Sequence, residues 1–254
     1  MKLYARRQGQ GSELVSIHGL FGSQENLGAI NRNLSDQFRV HGLDVRNHGR
    51  SPHSDTMDYT AMAEDILEYL DDQALKQVDL LGHSMGGKIA MTVALLAPDR
   101  IRKLVVMDIA PVEYAPRHDD VLAGLAAINL KEINRRSDAE QTLQPFIKEK
   151  DIRQFLLKNL YRDESGHFQW RINLDSIQTN YPEIMKGQSA KTGFSGETLF
   201  LKGADSDYIL PEHREQVLAL FPKASVKVVA ETGHWLHAQK PELVSRSISR
   251  FLMN

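Results

Sequence analysis

The chain has 254 residues, of which 41% are hydrophobic and 25% are charged, a composition typical of a soluble globular protein. Its 31 basic and 33 acidic residues give a formal net charge of −2 and are mixed along the chain, so no basic stripe indicates binding to a nucleic acid. The absence of cysteine excludes disulfides, a thiolate zinc site and a cysteine nucleophile.

No segment contains the roughly 18 consecutive apolar residues that a membrane span needs. The first residues also lack the apolar stretch of a signal peptide. We therefore expect a cytoplasmic protein with neither a membrane nor a nucleic acid as partner. The expected assembly state is a monomer or a small homo-oligomer.

Short runs rich in Val, Ile and Leu alternate with helical patterns along the chain. The runs predict buried strands at residues 14–17, 39–44, 77–81, 104–108, 198–202 and 225–230. The helical patterns predict helices near residues 26–34, 60–75, 84–97, 211–221 and 241–252. Buried strands that alternate with helices are typical of a parallel sheet covered on both faces, so we predict a doubly wound α/β fold.

The alternation stops between the fourth and fifth of these strands. About 80 residues there show helical patterns without a buried strand, and a structureless loop of that length is uncommon in a compact domain. We therefore expect residues 113–196 to form a helical cap over the carboxyl end of the sheet. Residues 1–112 and 197–254 would then form the core domain.

The strongest motif is Gly82-His83-Ser84-Met85-Gly86, between a predicted strand and the helix that follows it. A serine in this pattern and context is typical of a nucleophile elbow. The turn is so sharp that its flanking residues must be small, and it raises the Ser84 hydroxyl above the sheet. The backbone N–H of Met85 then lies at the positive end of a helix, where it can stabilise an oxyanion.

A serine hydroxyl needs a neighbouring base to take its proton. His234 follows the last predicted strand, so the base comes last in the chain, as it does in the α/β-hydrolase fold. We predict that fold: a doubly wound, mostly parallel sheet with a helical cap inserted after the sixth core strand. His237 is the alternative base, while His48 and His118 lie in polar segments and are expected at the surface.

A second oxyanion donor is predicted in His18-Gly19-Leu20-Phe21-Gly22, directly after the first predicted strand. From that place a backbone N–H can reach across to the N–H of Met85. Leu20 is the candidate donor, and Phe21 is the alternative. Such a site requires no metal and no organic cofactor.

The acid that orients the base has candidates at the ends of two predicted strands. Asp108 closes the strand at residues 104–108, whereas Asp205 and Asp207 follow the strand at residues 198–202. Position favours the later pair, because the acid more often follows that strand in this fold. The residues alone leave the choice open.

Six stretches of the sequence together resemble the YbfF-type bacterial esterases. They are HGLFGS (18–23), DVRNHGRSP (44–52), GHSMGGK (82–88), APDRI (97–101), MDIAPVEY (107–114) and GHWLHAQKP (233–241). The resemblance covers nearly the whole chain and is weakest in residues 117–196.

The resemblance implies hydrolysis of acyl esters and acyl-CoA thioesters, with a helical cap over the site. It also favours Asp108 as the acid, because relatives carry the DIAP stretch but often lack acidic residues at the positions of Asp205 and Asp207. Those two residues remain alternatives, and Ser206 is expected to hydrogen-bond to the triad.

We therefore predict a serine hydrolase that cleaves carboxylic esters and acyl-CoA thioesters through an acyl-enzyme on Ser84. Lys88, on the same helix, is expected to be structural or to reach solvent. Five cap residues are candidates to contact the acyl chain, with the cap core as the alternative for each: Leu122, Leu125, Phe155, Leu156 and Trp170. The alternative functions are a carbon–carbon bond hydrolase, a cofactor-free lyase and a non-catalytic ligand-binding protein.

Overall fold

The computed structural model describes all 254 residues. Its strands are β1 (Ala5–Gln8), β2 (Ser12–Ile17), β3 (Phe38–Leu43), β4 (Val78–His83), β5 (Ile101–Met107), β6 (Leu160–Arg162), β7 (Phe168–Trp170), β8 (Glu197–Gly203) and β9 (Ala224–Val229). Its α-helices are α1 (Gly28–Leu34), α2 (Tyr59–Asp72), α3 (Met85–Leu96), α4 (Asp119–Ala126), α5 (Arg136–Leu143), α6 (Lys150–Leu157), α7 (Leu174–Thr179), α8 (Tyr181–Met185), α9 (Arg214–Leu220), α10 (Leu236–Gln239) and α11 (Pro241–Met253). Short 3-10 helices span Gln24–Leu27, Pro98–Arg100 and Pro211–His213.

Seven strands form one sheet in the order β1-β3-β2-β4-β5-β8-β9. Only the β1–β3 pair is antiparallel, and the other five pairs are parallel. The chain adds β3 on one side of β2 and then β4 on the other, so the strand order reverses at β2. Open α/β sheets bind their ligands at the carboxyl ends of the strands beside such a reversal. The loops that follow β2 and β4 are therefore in the right place for a site.

The central strands are buried on both faces because their side chains alternate between two apolar cores. Leu80, Leu104 and Val106 belong to a cluster of 48 buried residues that includes apolar side chains of α2 and α3. Leu81 and Val105 belong to a second cluster of 16 that includes side chains of α1 and α11. The predicted doubly wound, mostly parallel sheet is confirmed.

Two details of the predicted architecture need correction. The strand β1 was not predicted, because Ala5–Gln8 is a short edge strand with two exposed arginines and no apolar alternation. With β1 counted, five strands precede the helical segment, so it follows the fifth strand of this seven-stranded sheet and not the sixth. The segment also contains the antiparallel hairpin of β6 and β7.

Residues 113–196 contain α4 to α8 and no strand of the large sheet. Hydrogen bonds join this segment to the loop after β2 and to the first residue of α2. The amide of Asn159 donates to the carbonyl of Phe21 at 2.7 Å, and the hydroxyl of Tyr59 donates to the carbonyl of Ile184 at 2.7 Å. No helix of the chain combines the length and apolarity that crossing a lipid bilayer requires.

Candidate active site

Ser84 lies in the turn between β4 and α3, with a φ of 53° and a ψ of −124°. Non-glycine residues rarely adopt this left-handed backbone, which costs about 1–3 kcal/mol. The neighbouring glycines are needed for space: a Cβ on Gly82 would lie 2.1 Å from the carbonyl oxygen of Gly86, and a Cβ on Gly86 would lie 2.3 Å from that of Ile17. The sequence therefore makes a tight turn that leaves the Ser84 hydroxyl facing a cavity.

Three side chains from three separate loops form a hydrogen-bonded chain. The Nε2 of His234 lies 3.0 Å from the Oγ of Ser84, and its Nδ1 lies 2.8 Å from the Oδ2 of Asp108. Because a carboxylate only accepts hydrogen bonds, Nδ1 carries the hydrogen and Nε2 is left to accept the serine proton. The alternative base, His237, is buried, and its Nδ1 makes no hydrogen bond.

Asp108 is fully buried at the carboxyl end of β5 and is held by donors from the end of β8 and the loop that follows it. Its Oδ1 accepts the N–H of Gly203 at 2.9 Å, and its Oδ2 accepts the hydroxyl of Ser206 as well as the His234 ring. The expected contact of Ser206 is therefore present. Three donors to one carboxylate fix its position.

The other two candidate acids do not reach the base. Asp205 is exposed, and its backbone N–H donates to the carbonyl of Thr232 at 2.9 Å. Asp207 is 70% exposed and pairs with Arg117 at 2.8 Å, which lowers the pKa of the Asp207 carboxyl. Of the three candidates, only Asp108 touches His234.

Two backbone N–H groups near Ser84 have no acceptor in the protein. Met85 is the first residue of α3, so its N–H has no partner within the helix. The N–H of Leu20 also has no acceptor. The loop that carries it lies close to the nucleophile, because a Cβ built on the preceding Gly19 would lie 3.2 Å from the Cβ of Ser84. The N–H of Phe21, the alternative donor, is occupied by the Nε2 of His48 at 3.1 Å.

Buried neutral histidines hold the loops of the site. Burial lowers the pKa of His18 to about 4 and that of His48 to about 3. In the neutral form, the Nε2 of His18 accepts the N–H of Val45 at 3.1 Å. Burial also lowers the pKa of His83, whose Nε2–H donates to the backbone carbonyl of His234 at 2.9 Å. The expectation that His48 is at the surface is wrong, because its ring is fully buried under the loop that carries Phe21.

A cavity with an empty volume of about 350 Å³ opens beside the serine. Eight of its twelve lining residues are hydrophobic, and the set is Leu20, Tyr59, Ser84, Met85, Lys88, Ile109, Tyr114, Arg117, His118, Ile184, Met185 and Tyr208. Sequence reasoning missed most of these residues. Their only common signal is that several follow the carboxyl ends of β5 and β8 or flank the helical segment.

The five cap residues predicted to contact an acyl chain do not line this cavity. Leu122, Leu125 and Leu156 are buried in the main apolar cluster, where they support the helices of the segment. Phe155 and Trp170 are partly buried against the same cluster, and the ring of Phe155 lies 6.0 Å from that of Trp235. The three leucines therefore have the alternative role that the sequence left open, as part of the core of the cap and not as contacts of an acyl chain.

Lys88 lies one helical turn after Ser84 and is almost completely buried. Its ammonium donates to the carbonyls of Val112 at 2.8 Å, Met185 at 3.3 Å and Lys186 at 2.5 Å. Burial lowers the pKa of Lys88 to about 7, while the three carbonyls stabilise its charged form. Val112 lies where the chain enters the helical segment, and Met185 and Lys186 lie at the end of its last helix. Lys88 therefore holds the two ends of the segment's helical part together, and its role is structural. No group of three or more metal-binding side chains occurs in residues 1–254.

Comparisons with known proteins agree with this geometry. Residues 14–136 match the family described as having the alpha/beta hydrolase fold. The chain is 40% identical to Esterase YbfF of Escherichia coli over 249 residues, covering 98% of this chain and 96% of the relative. It is also 40% identical to the mouse sn-1-specific diacylglycerol lipase ABHD11, covering 94% of this chain and 80% of the relative. A solved marine microorganism esterase shares 40% identity and a TM-score of 0.96, over 98% of this chain and 99% of that structure.

Proposed function

The chain is a carboxylic ester hydrolase of the α/β-hydrolase family, as the resemblance to YbfF-type esterases implied, and from that premise we propose that it acts through an acyl-enzyme on Ser84. His234 is the general base, Asp108 is the acid that orients it, and the N–H groups of Leu20 and Met85 form the oxyanion hole. The observation that carries this proposal is the hydrogen-bonded chain of 3.0 Å and 2.8 Å from Ser84 through His234 to Asp108.

The acylation step begins when the Oγ of Ser84 attacks the acyl carbonyl and its proton passes to the Nε2 of His234. The carbonyl oxygen becomes an oxyanion that accepts hydrogen bonds from Leu20 and Met85. Collapse of this intermediate breaks the bond to the leaving oxygen or sulfur, which takes the proton from His234. The products of the step are the free alcohol or thiol and an acyl ester on Ser84.

The deacylation step repeats this sequence with water. His234 takes a proton from a water molecule, whose oxygen attacks the acyl-enzyme carbonyl. Collapse of the second intermediate releases the carboxylic acid and returns the proton to Ser84. Asp108 stabilises the imidazolium in both steps because its Oδ2 accepts the Nδ1–H throughout.

The cavity supports small or medium acyl groups as substrates. Its empty volume of about 350 Å³ leaves little room for a long chain, and eight of its twelve lining residues are hydrophobic. Oxygen esters and acyl-CoA thioesters present the same carbonyl to Ser84, and we propose both as substrates. A cytoplasmic location, a small-molecule partner and a monomeric or small homo-oligomeric state complete the proposal.

A substrate panel tests this assignment. p-Nitrophenyl esters from acetate to palmitate are compared with acyl-CoAs of matched chain length, and kcat/KM is expected to be highest for short or medium chains in both series. A maximum at the longest chains would overturn the proposed acyl range. Ester turnover without acyl-CoA turnover would remove thioesters from the substrate class.

The alternative functions give different results in the same preparation. A carbon–carbon bond hydrolase would cleave a β-diketone faster than any ester of similar size, and a lyase would release no carboxylic acid. A non-catalytic ligand-binding protein would not be labelled by a fluorophosphonate probe, whereas an activated Ser84 is expected to be labelled stoichiometrically.

A further inference from the structure

The ring of Tyr208 is stacked on the ring of the proposed base. The ring centroids of Tyr208 and His234 are 4.0 Å apart, and their planes differ by 22°. Tyr208 also lines the cavity beside Ser84. One face of the imidazole is therefore covered by an aromatic face at the place where the serine proton is transferred.

Neighbouring groups hold the tyrosine in this position. Its carbonyl oxygen accepts the hydroxyl of Tyr114 at 2.5 Å, and that hydroxyl in turn accepts the N–H of Ala110 at 2.9 Å. The N–H of Tyr208 donates to the hydroxyl of Ser206 at 3.3 Å, and Ser206 also donates to Asp108. The hydroxyl of Ser206 therefore hydrogen-bonds both to the backbone of Tyr208 and to the carboxylate of Asp108.

The charge of the imidazole changes during the reaction. His234 is neutral before it accepts the Ser84 proton and cationic afterwards, and the face of an aromatic ring attracts a cation more strongly than a neutral group. An interaction that is stronger in the transition state than in the ground state raises kcat. We propose that Tyr208 is a further catalytic residue whose ring face stabilises the imidazolium of His234; this inference rests on the proposed function.

A second cation near the same ring is neutralised by an acid. The guanidinium carbon of Arg117 lies 4.8 Å from the centroid of Tyr208, and Asp207 pairs with Arg117 at 2.8 Å. Without Asp207, the charge of Arg117 would oppose the formation of a second cation next to the ring. Asp207 therefore acts on the base through Arg117 and Tyr208 and not as the acid of the triad.

The other ring groups around the base do not carry a competing charge at neutral pH. The ring of His83 lies 4.8 Å from that of His234, and burial lowers the pKa of His83. Burial likewise lowers the pKa values of His118 and His237 to about 4. Tyr208 is thus the aromatic face available to the imidazolium, and Arg117 is the cation beside it.

The sharpest test changes the electron density of the ring and keeps its shape. Tyr208→Phe is compared with mono-, di- and trifluorinated phenylalanine at the same position, using p-nitrophenyl acetate. Because each fluorine weakens the attraction of the ring face for a cation, kcat is expected to fall by about two- to threefold per fluorine. A kcat that is the same across the fluorinated series would overturn the proposal.

A second comparison removes the aromatic face altogether. Tyr208→Leu is expected to lower kcat by about 5- to 30-fold, and Tyr208→Phe is expected to recover most of that loss. Tyr4→Leu is the matched control, because it removes a cation–π pair with Arg50 at 5.0 Å that is not part of the cavity. Equal losses in Tyr208→Phe and Tyr208→Leu would assign the effect to the phenol and reject the ring face.

Ser84→Ala separates this inference from the proposed function. If Ser84→Ala retains turnover, the acyl-enzyme mechanism fails and the ring has no imidazolium to stabilise. If Ser84→Ala is inactive while Tyr208→Leu and the fluorinated series match the wild type, the mechanism stands and the role of Tyr208 is rejected.

Discussion

The Nε2 of His234 lies 3.0 Å from the Oγ of Ser84, although 150 positions separate the two residues in the chain. Ser84→Ala removes the nucleophile and should reduce ester turnover by on the order of 10⁶. The unfolding midpoint should change little, because the hydroxyl has His234 as its only side-chain partner. Initial rates with p-nitrophenyl esters and thermal unfolding by circular dichroism check both statements. Turnover at a tenth of the wild-type rate would contradict the assignment.

Asp108→Asn should reduce kcat by on the order of 10⁴, because an amide no longer fixes the ring of His234 in the productive tautomer. Asp205→Asn is the matched control, since Asp205 is exposed and touches no residue of the hydrogen-bonded chain. Rates measured on both variants at one pH decide the matter. A wild-type rate for Asp108→Asn would rule out this residue as the acid.

Gly86→Ala should prevent the elbow from forming. The new Cβ would lie 2.3 Å from the carbonyl oxygen of Ile17 and 2.4 Å from that of His18, so backbone of β2 would have to move. The expected loss of unfolding free energy exceeds about 4 kcal/mol, at the high end for single substitutions. In Gly233→Ala the added methyl meets no atom within 4 Å, and the expected loss is below about 1 kcal/mol. Urea denaturation of both variants measures the difference.

Lys88→Met should loosen the helical segment. It leaves the buried carbonyl of Val112 and the partly buried carbonyls of Met185 and Lys186 without their donor, with an expected loss of about 2–5 kcal/mol. Limited proteolysis should then cut near the two ends of the segment's helical part faster than in the wild type. Lys240→Met, which removes an exposed pair with Glu231, should cost no more than about 1 kcal/mol. Equal stability of the two variants would show that Lys88 does not hold the helical segment in place.

The protein should lose stability as the pH falls from about 6.5 to about 4. The pKa values of His18, His48 and His237 are lowered to about 4, 3 and 4 by burial, whereas an unfolded histidine has a pKa of about 6.5. In this range the unfolded chain binds protons that the folded chain excludes, so each group removes up to about 1.4 kcal/mol per pH unit. Urea titrations at pH 7, 6 and 5 give the slope. His48→Gln should reduce that slope, and an unchanged slope would contradict the role of His48.

The sequence was most informative where steric demands leave little choice. Gly82 and Gly86 are required because an added Cβ would lie 2.1 Å or 2.3 Å from a backbone carbonyl oxygen. The two glycines therefore mark the elbow in the sequence itself. The strands β4 and β5 were predictable because they are buried on both faces and each contains an apolar run, Leu80-Leu81 in β4 and Leu104–Met107 in β5. The edge strand β1 carries no such pattern and was missed.

The walls of the cavity were not predictable in the same way. Tyr59, Tyr114 and Tyr208 come from three distant parts of the chain and meet only after the helical segment has folded onto the sheet. No periodicity marks a tyrosine as facing a cavity. His48 shows the same limit. Its polar neighbours suggested a surface loop, but its ring is fully buried and accepts the N–H of Phe21.

The helical segment leaves and re-enters the core between two neighbouring strands, because β5 and β8 pair directly in parallel. The start of the segment is joined to the end of its last helix: the N–H of Tyr114 donates to the carbonyl of Met185 at 3.0 Å, and the N–H of Gln188 donates to that of Pro111 at 3.0 Å. An insertion attached by adjacent stems can be exchanged or grafted while the sheet beneath it stays the same. The preference for particular acyl groups can therefore change through the segment alone, while the catalytic residues on the sheet are retained.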